Sequence, residues 1–288
     1  MKSLILSGSE FIFNKLKSIW ENPKTNKFTS IFLVFAFIIS ITISYLDRSN
    51  LVSLGKWDEY FSNPFFAIEI SFTLLLILEL LSLIFVLPKS VSKSVGKQLE
   101  LLSLIFLRSA FKEFSHITDF NWKVMEIPVI HMLFYVFGAL LIFVLLGFIY
   151  KLQLHTPLST TEDDNKGFIQ SKKLLSLFLF LAFFIIGFHD VYELLKTGEY
   201  LRSFHTFYNT LIFSDIIIVL FALRYTLNYY KIFRYSAFVV ATIFIRISLS
   251  TEPIYDVLIG VIAAIFVLCL TLTYNYFLKD LPDRKLQD

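Results

Sequence analysis

Cysteine pairs, glycine-rich loops and metal-ligand motifs are missing from this chain of 288 residues. Cys269 is its single cysteine, so no internal disulfide can form. Only nine glycines occur, and none falls in a Walker A, GxGxxG or GxSxG pattern. The five histidines lack metal-ligand spacing such as HExxH. We therefore expect no catalytic residue, no metal and no cofactor, and the sequence does not favour an enzyme.

The charge balance excludes a nucleic-acid partner, and the composition favours a membrane. The formal net charge of +3 is too small to indicate binding to a polyanion. In contrast, 56% of the residues are hydrophobic, 34 are phenylalanine and the mean hydropathy is +0.70. Soluble domains contain about 45–50% apolar residues. We expect an all-α integral membrane protein whose main partner is the lipid bilayer.

Apolar blocks divide the chain into predicted membrane spans. Seven blocks have about the 17–25 residues that a helix needs to cross the hydrocarbon core. An eighth block, 98–115, is weaker because it carries Glu100, Arg108, Lys112 and Glu113. In chain order, spans 1 to 8 are predicted at 28–46, 64–87, 98–115, 128–150, 173–195, 209–229, 234–250 and 254–278.

The distribution of lysine and arginine decides whether the weak block crosses. With eight spans and both termini cytoplasmic, 17 of the 26 basic residues lie on the cytoplasmic side, six lie outside and three lie within spans. Cytoplasmic loops carry an excess of Lys and Arg. If the block did not cross, the basic loop after span 4 and the basic C-terminus would move outside. Eight spans in the inner (plasma) membrane are therefore predicted.

The N-terminal segment leaves two interpretations open. Ile12, Leu16, Ile19 and Trp20 share one helical face, with basic residues beside it, which favours a helix lying on the membrane. An unstructured basic tail fits the same residues. The predicted organisation is a cytoplasmic segment at 1–27, a four-helix repeat at 28–151, a linker at 152–170, a second four-helix repeat at 171–279 and a cytoplasmic tail at 280–288.

The two halves carry polar landmarks in the same order. Each half supplies four spans, so the repeats point the same way and predict a pseudo-two-fold axis along the membrane normal. A proline opens the last span of each half, at Pro128 and Pro253. The matched polar residues are Asp47 with Asp190, Glu69 with Asp215, Arg108 with Arg246, and His131 with Asp256.

Charged residues inside spans are costly and usually face protein or water with a partner. Counting the helix rise of ~1.5 Å per residue brings Glu69 near the depth of Arg108, and Asp215 near Arg246. We predict that Arg108 pairs with Glu69, and Arg246 with Asp215 or Asp256. Four residues lie nearer the outer boundary: Asp47, Asp190, His131 and Asp256. Such pairs fit an outward-open polar cavity, or ion pairs that only lock helix packing.

A second arrangement lies nearer the cytoplasm. Glu79 and Arg224 occupy similar depths on equivalent helices, so they are candidates for an ion pair across the pseudo-axis. The alternative for Arg224 is extension of its long side chain to the inner headgroups.

The run RYSAFVVATIFIR at 234–246, followed by TEPIYDVLIG at 251–260, resembles the phosphate-starvation-inducible membrane protein family, PsiE. The resemblance covers about residues 205–279 and includes Arg246, Pro253, Asp256 and the preceding acidic Asp215. It implies a compact four-helix membrane protein. The first half departs from the pattern, with His131 in place of an aspartate, and is a diverged copy.

These observations favour a non-enzymatic inner-membrane protein that mediates permeation of a small ion or proton through the outward-facing clusters. The alternative is a structural or stress-response membrane module whose charges only fix helix packing. A small ion or anion and a second copy of the chain are the candidate partners besides lipid.

Overall fold

The computed structural model describes residues 2–49, 66–88, 91–113, 127–152, 162–197, 203–225 and 229–280. These residues form nine α-helices and no strand, which confirms the predicted all-α class. In chain order the helices, α1 to α9, are Lys2–Trp20, Pro23–Arg48, Phe66–Val86, Val91–Lys112, Ile127–Leu152, Glu162–Thr197, Phe204–Tyr225, Tyr229–Ser248 and Tyr255–Asp280.

Helices α2 to α9 fall in order on the eight predicted spans. Six of them, α2, α3, α5, α6, α7 and α9, are long and apolar enough to cross a membrane. The other two, α4 and α8, carry Arg108 and Arg246 together with several lysines or arginines. They also lie deep in the bundle, because α4 contacts α3, α5, α8 and α9, while α8 contacts α4, α7 and α9.

Several predicted boundaries are wrong. The linker at 152–170 is helical from Glu162 onward, the weak block begins seven residues early at Val91, and residues 229–233 belong to α8. Hydropathy detects only the apolar part of a helix, whereas the backbone hydrogen bonds continue into its polar turns. Of the predicted C-terminal tail, residues 281–288 lie outside the described residues.

The N-terminal segment is helical, so the unstructured tail is excluded. Helix α1 packs against α6. Lys173 donates a hydrogen bond of 2.6 Å to Glu10, and Gln170 donates another of 2.9 Å. The bond from Lys173, the larger contribution, lowers the pKa of Glu10. Phe13 is buried while Ile12 and Ile19 remain exposed, so an apolar strip is left facing outward.

Local capping explains the short break between α1 and α2. The side chain of Asn22 accepts a hydrogen bond of 2.9 Å from the backbone N–H of Lys24. Pro23 occupies the first helical position, where its missing N–H costs nothing. An asparagine N-cap followed by proline starts a helix efficiently, so the chain turns at this point and enters α2.

Successive long helices alternate in direction. We call the end where α2 begins end I and the opposite end end II. Contacts at both ends agree with this alternation: Asn275 bonds the carbonyl of Leu152 at end I, and Tyr135 bonds Asp256 at end II. Consecutive helices from α2 to α5 touch one another, as do those from α6 to α9. The equivalent helices α4 and α8, and α5 and α9, also touch.

The bundle has two apolar cores, and each draws helices from both halves of the chain. One core joins α4, α5, α8 and α9, and the other joins α3, α6 and α7 with the side chain of Leu101 from α4. Small residues bring α5 and α9 close together, among them Gly138, Ala139, Ala263 and Ala264. Small side chains permit such close backbone approach in membrane bundles.

The outer surface is strongly apolar. Phe35, Phe143 and Phe188 are each at least 60% exposed, and dozens of other large apolar side chains point outward with them. Soluble monomers rarely expose contiguous apolar patches beyond a few hundred Å². This surface suits the hydrocarbon of a bilayer, and the polar groups of the spans are turned inward.

Candidate functional site

The first polar group joins α3 to α4. Arg108 donates through both terminal nitrogens to the two carboxylate oxygens of Glu79. The geometry is bidentate, the arrangement in which arginine binds a carboxylate most strongly. The side chains are 18% and 14% exposed, so the pair is half-buried and retains some access from outside the bundle.

The second group joins α7 to α8 and is sealed. Nε and a terminal nitrogen of Arg246 lie 3.1 and 3.0 Å from the same oxygen of Asp215. Thr242 donates to that oxygen at 3.0 Å. Arg246 is 1% exposed and Asp215 is 4% exposed. The predicted pairing of Arg246 with Asp215 is confirmed, and the alternative partner Asp256 is not used.

The predicted pairing of Arg108 with Glu69 is wrong, because Arg108 binds Glu79, and Glu69 binds Lys112 at 2.9 Å. In a helix the Cα–Cβ bond tilts toward the N-terminus. Since α3 and α4 are antiparallel, Glu79 leans toward end II and Arg108 leans toward end I, so they approach each other. Counting helix rise alone ignores this tilt. Glu79 therefore takes the place in the first half that Asp215 takes in the second.

The proposed pair between Glu79 and Arg224 is also wrong. Glu79 is held by Arg108, while the guanidinium of Arg224 lies 5.8 Å from the ring centroid of neighbouring Tyr225. Arg224 is exposed in the last turn of α7. This position is compatible with the alternative, in which the Arg224 side chain extends toward headgroups at end I.

A third polar group lies between α5 and α9 at end II. Tyr135 donates a hydrogen bond of 2.8 Å to Asp256, whose carboxylate also accepts one of 2.6 Å from the N–H of Val257. His131 lies 3.5 Å from Glu113. Ser248 donates to the carbonyl of Asp256 at 2.6 Å, which ties the end of α8 to the start of α9.

The remaining predicted landmarks lie at end II away from these groups. Asp190 is buried and accepts a hydrogen bond of 2.6 Å from Ser203, which links α6 to the start of α7. Asp47 lies in the last turn of α2, and its carbonyl accepts the backbone N–H of Ser49. Asp47 therefore stands at the end of its helix and Asp190 lies seven residues before the end of α6, and neither joins the ion pairs of the two arginines.

A cleft opens at end II between α3, α4 and α7. It has a volume of about 800 Å³ including its mouth. Glu69 and Lys112 lie at the mouth, and Arg108 and Tyr208 lie deeper. We call this space the end II cleft.

A second cleft lies toward end I between α2, α3 and α4, with a volume of about 780 Å³ including its mouth. Its lining is mixed: Thr25, Asn26, Thr29 and Ser82 lie beside several leucines, and Lys97 and Glu79 also line it. We call this space the end I cleft. The two halves of one ion pair thus line different clefts: Arg108 lines the end II cleft and Glu79 lines the end I cleft.

A small enclosed cavity lies between the two clefts and shares lining residues with both. It shares Leu76, Ile105 and Leu249 with the end II cleft, and Glu79 and Leu101 with the end I cleft. Its polar lining consists of Glu79, Gln98 and Arg246. The three spaces therefore adjoin one another. Glu79 of the α3–α4 ion pair lines the small cavity as well as the end I cleft.

Sequence reasoning missed Gln98, Thr242, Tyr208 and Lys112 as members of the site. A neutral polar residue on an apolar helix gives little pattern, but Thr242 and Gln98 each stand on the same helix as a predicted arginine. A helical wheel centred on that arginine could have selected Thr242, four residues before Arg246. Gln98, ten residues from Arg108, becomes visible only in the folded structure.

Within the described ranges, no group of three or more His, Cys, Asp or Glu side chains could hold a metal ion. The six long apolar helices, the apolar outer surface and the inward-facing ion pairs define a polytopic helical membrane protein. No protein-family model, no curated protein and no solved structure matches the chain.

Proposed function

We propose that the chain is a non-enzymatic inner-membrane protein with eight spans, α2 to α9, and both termini in the cytoplasm. End I then faces the cytoplasm. Two observations support α4 and α8 as spans. Their 22 and 20 residues make helices of ~33 and ~30 Å at the usual rise, which is the thickness of the hydrocarbon core. Both also run between neighbouring spans, where their charges are shielded from lipid.

The proposal includes two tandem repeats, with residues 205–279 forming a PsiE-like unit and the first half a diverged copy. The matching order of helix contacts in the two halves supports it, as do the contacts of α4 with α8 and of α5 with α9. A two-fold axis along the membrane normal would bring such equivalent helices together at the centre.

The topology gives a direct prediction. In a Cys269→Ala background, single cysteines introduced within 116–124 and within 156–167 are expected to react with a membrane-impermeant thiol reagent from opposite sides. The charge distribution places the first segment outside and the second in the cytoplasm. Labelling of right-side-out and inverted vesicles measures this. Reaction of both segments from one side would show that α4 does not cross.

We propose that the activity is permeation of a small ion or proton between the two clefts. The supporting observation is the half-buried ion pair of Glu79 and Arg108, whose members line two different clefts, one toward each end of the bundle. Intramembrane ionisable residues that face water-filled space mark ion and proton pathways. A charge pair used only for packing needs no cleft on either side.

The alternative function, a non-conducting structural or stress-response module, is favoured by a different observation. Arg246 and Asp215 are sealed and further bonded by Thr242, with 1% and 4% exposure. This second pair has the character of a packing lock. The two pairs thus support different roles, and a flux measurement separates the two functions.

Blocking the end II cleft tests permeation. Thr73 lines that cleft, so Thr73→Trp is expected to lower ion or proton flux into proteoliposomes at least tenfold by occluding the space. Phe137→Trp is the matched control, because Phe137 is 65% exposed on the outer surface of α5. Wild-type flux no faster than that of empty liposomes, for protons and for small cations and anions, would establish the non-conducting module.

A further inference from the structure

A buried amide in the enclosed cavity accepts no hydrogen bond from the described part of the protein. Gln98 is 4% exposed, and its Oε1 is without a partner there. Its Nε2 makes one long hydrogen bond of 3.5 Å to Ser94. A buried acceptor left without a partner destabilises the folded protein. An unsatisfied acceptor inside a packed bundle therefore needs an explanation.

The groups around the cavity restrict what can satisfy this acceptor. Among the described lining residues, only Glu79 and Gln98 offer side-chain oxygens; the others are leucines, isoleucines and Arg246. A metal cation with its usual shell of six or more oxygens does not fit. Arg246 is also among the lining residues, and its positive charge disfavours a cation there. A proton, carried on a side chain or on one water, is the species that the cavity can accommodate.

Glu79 is the side chain that can carry this proton. An ionised carboxylate only accepts hydrogen bonds, whereas a protonated carboxyl also donates one. Glu79 and Gln98 line the same cavity, and Glu79 also lines the end I cleft. While Glu79 is charged and bound to Arg108, the side-chain oxygen of Gln98 accepts no hydrogen bond from the described residues. When Glu79 is protonated, its carboxyl group can donate one to that oxygen.

The charged neighbours of Glu79 come from two helices. Helix α4 contributes Arg108, which bonds it, and Lys97, which lines the end I cleft with it; α8 contributes Arg246. From α7, Tyr208 lies within electrostatic range of both Glu79 and Arg246. The end I cleft receives hydroxyl and amide groups from α2 but no charged residue, and α6 lines none of the three spaces.

We infer that Glu79 and Gln98 form the proton-binding site of the pathway, a conclusion that rests on the proposed permeation and names the proton as its ion. In the first state the Glu79 carboxylate binds Arg108. A proton arriving as hydronium through the end I cleft binds one carboxylate oxygen and leaves a water behind. The neutral carboxyl then releases Arg108 and donates to Oε1 of Gln98, directly or through one water. Glu69, in the same cleft as Arg108, offers the freed guanidinium a second carboxylate.

Replacing Gln98 by leucine separates this role from a packing role, because the expected changes in stability and in proton flux have opposite signs. Gln98→Leu removes a buried unsatisfied acceptor, so the stability of the purified protein in detergent is expected to stay equal or rise. Proton flux into liposomes loaded with a pH-sensitive dye is expected to fall at least tenfold, because the protonated state loses its acceptor. Gln170→Leu is the control, since Gln170 bonds Glu10 on the outside of the bundle. Unchanged flux in Gln98→Leu would overturn the inference.

Infrared difference spectra between high and low pH test the site without transport. Wild type is expected to show a carboxylic-acid C=O band that disappears in Glu79→Gln and shifts in Gln98→Leu but not in Gln170→Leu. If the band shows these changes but liposomes with the wild-type protein show no proton flux, the proton-binding site is supported and the proposed function is refuted. If liposomes carry protons while Glu79→Gln leaves both the band and the flux unchanged, the function stands and the site is refuted.

Discussion

Arg246→Ala is expected to lower the free energy of unfolding by about 3–5 kcal/mol, because it leaves the buried Asp215 carboxylate without its counter-charge. The partner is 4% exposed, so water cannot replace the guanidinium. Thermal or denaturant unfolding of the purified protein in detergent measures the loss. Asp215→Asn is expected to destabilise as well, since it leaves a lone guanidinium.

The double variant Arg246→Ala with Asp215→Asn is expected to cost less than the sum of the single variants, since neither charge is then left alone. Arg224→Ala is the matched control, because that arginine is exposed and surface substitutions usually change stability by about 0.5 kcal/mol or less. Arg246→Lys keeps the charge but loses the planar guanidinium, so it is expected to recover part of the stability that Arg246→Ala loses. Equal stability of Arg246→Ala and Arg224→Ala would contradict the lock.

Gly138→Ala is expected to destabilise the protein by about 1–3 kcal/mol, the usual cost of overpacking a core. A Cβ at Gly138 of α5 would lie 2.3 Å from Cγ1 of Val257 on α9, far inside van der Waals contact. One of the two helices must move. Since α5 and α9 share the core with α4 and α8, the shift reaches the helices that carry the arginines. The same unfolding assay measures the effect, and Gly138→Leu is expected to be worse.

Two further variants make this prediction specific. Gly147→Ala, on the same helix, has nothing within 4 Å of its new Cβ, so it is expected to be neutral or stabilising by up to ~1 kcal/mol through helix propensity. Val257→Ala removes the clashing methyl group and is expected to rescue Gly138→Ala, so the double variant is more stable than additivity predicts. Loss of stability in Gly147→Ala equal to that in Gly138→Ala would show that the close contact is not the cause.

The two ion pairs differ in their access to water. Arg246 and Asp215 are almost fully buried, at 1% and 4% exposure, and of the described cavities Arg246 borders only the small enclosed one. Their charges contribute to packing, and their loss is measured as stability. Glu79 and Arg108 stand between two clefts, so the same chemistry has a route to water. The difference arises from the position of the end I cleft between α2, α3 and α4, which the second half does not reproduce beside Asp215 among the described cavities.

The sequence by itself determined the class of the protein and the order of its helices. Long apolar blocks must form helices in lipid, because a spanning segment has to satisfy its own backbone hydrogen bonds. This local requirement predicts seven of the helices α2 to α9, and the distribution of lysine and arginine adds α4. The sequence also predicted the pairing of Arg246 with Asp215, which lie on consecutive antiparallel helices at depths that a long arginine side chain can bridge. Tertiary structure decided the rest. Glu79 rather than Glu69 binds Arg108 because side chains tilt toward the helix N-terminus. Gln98 joins the site because α3, α4 and α8 converge on it, and a meeting of three helices depends on packing angles that no spacing along one helix encodes.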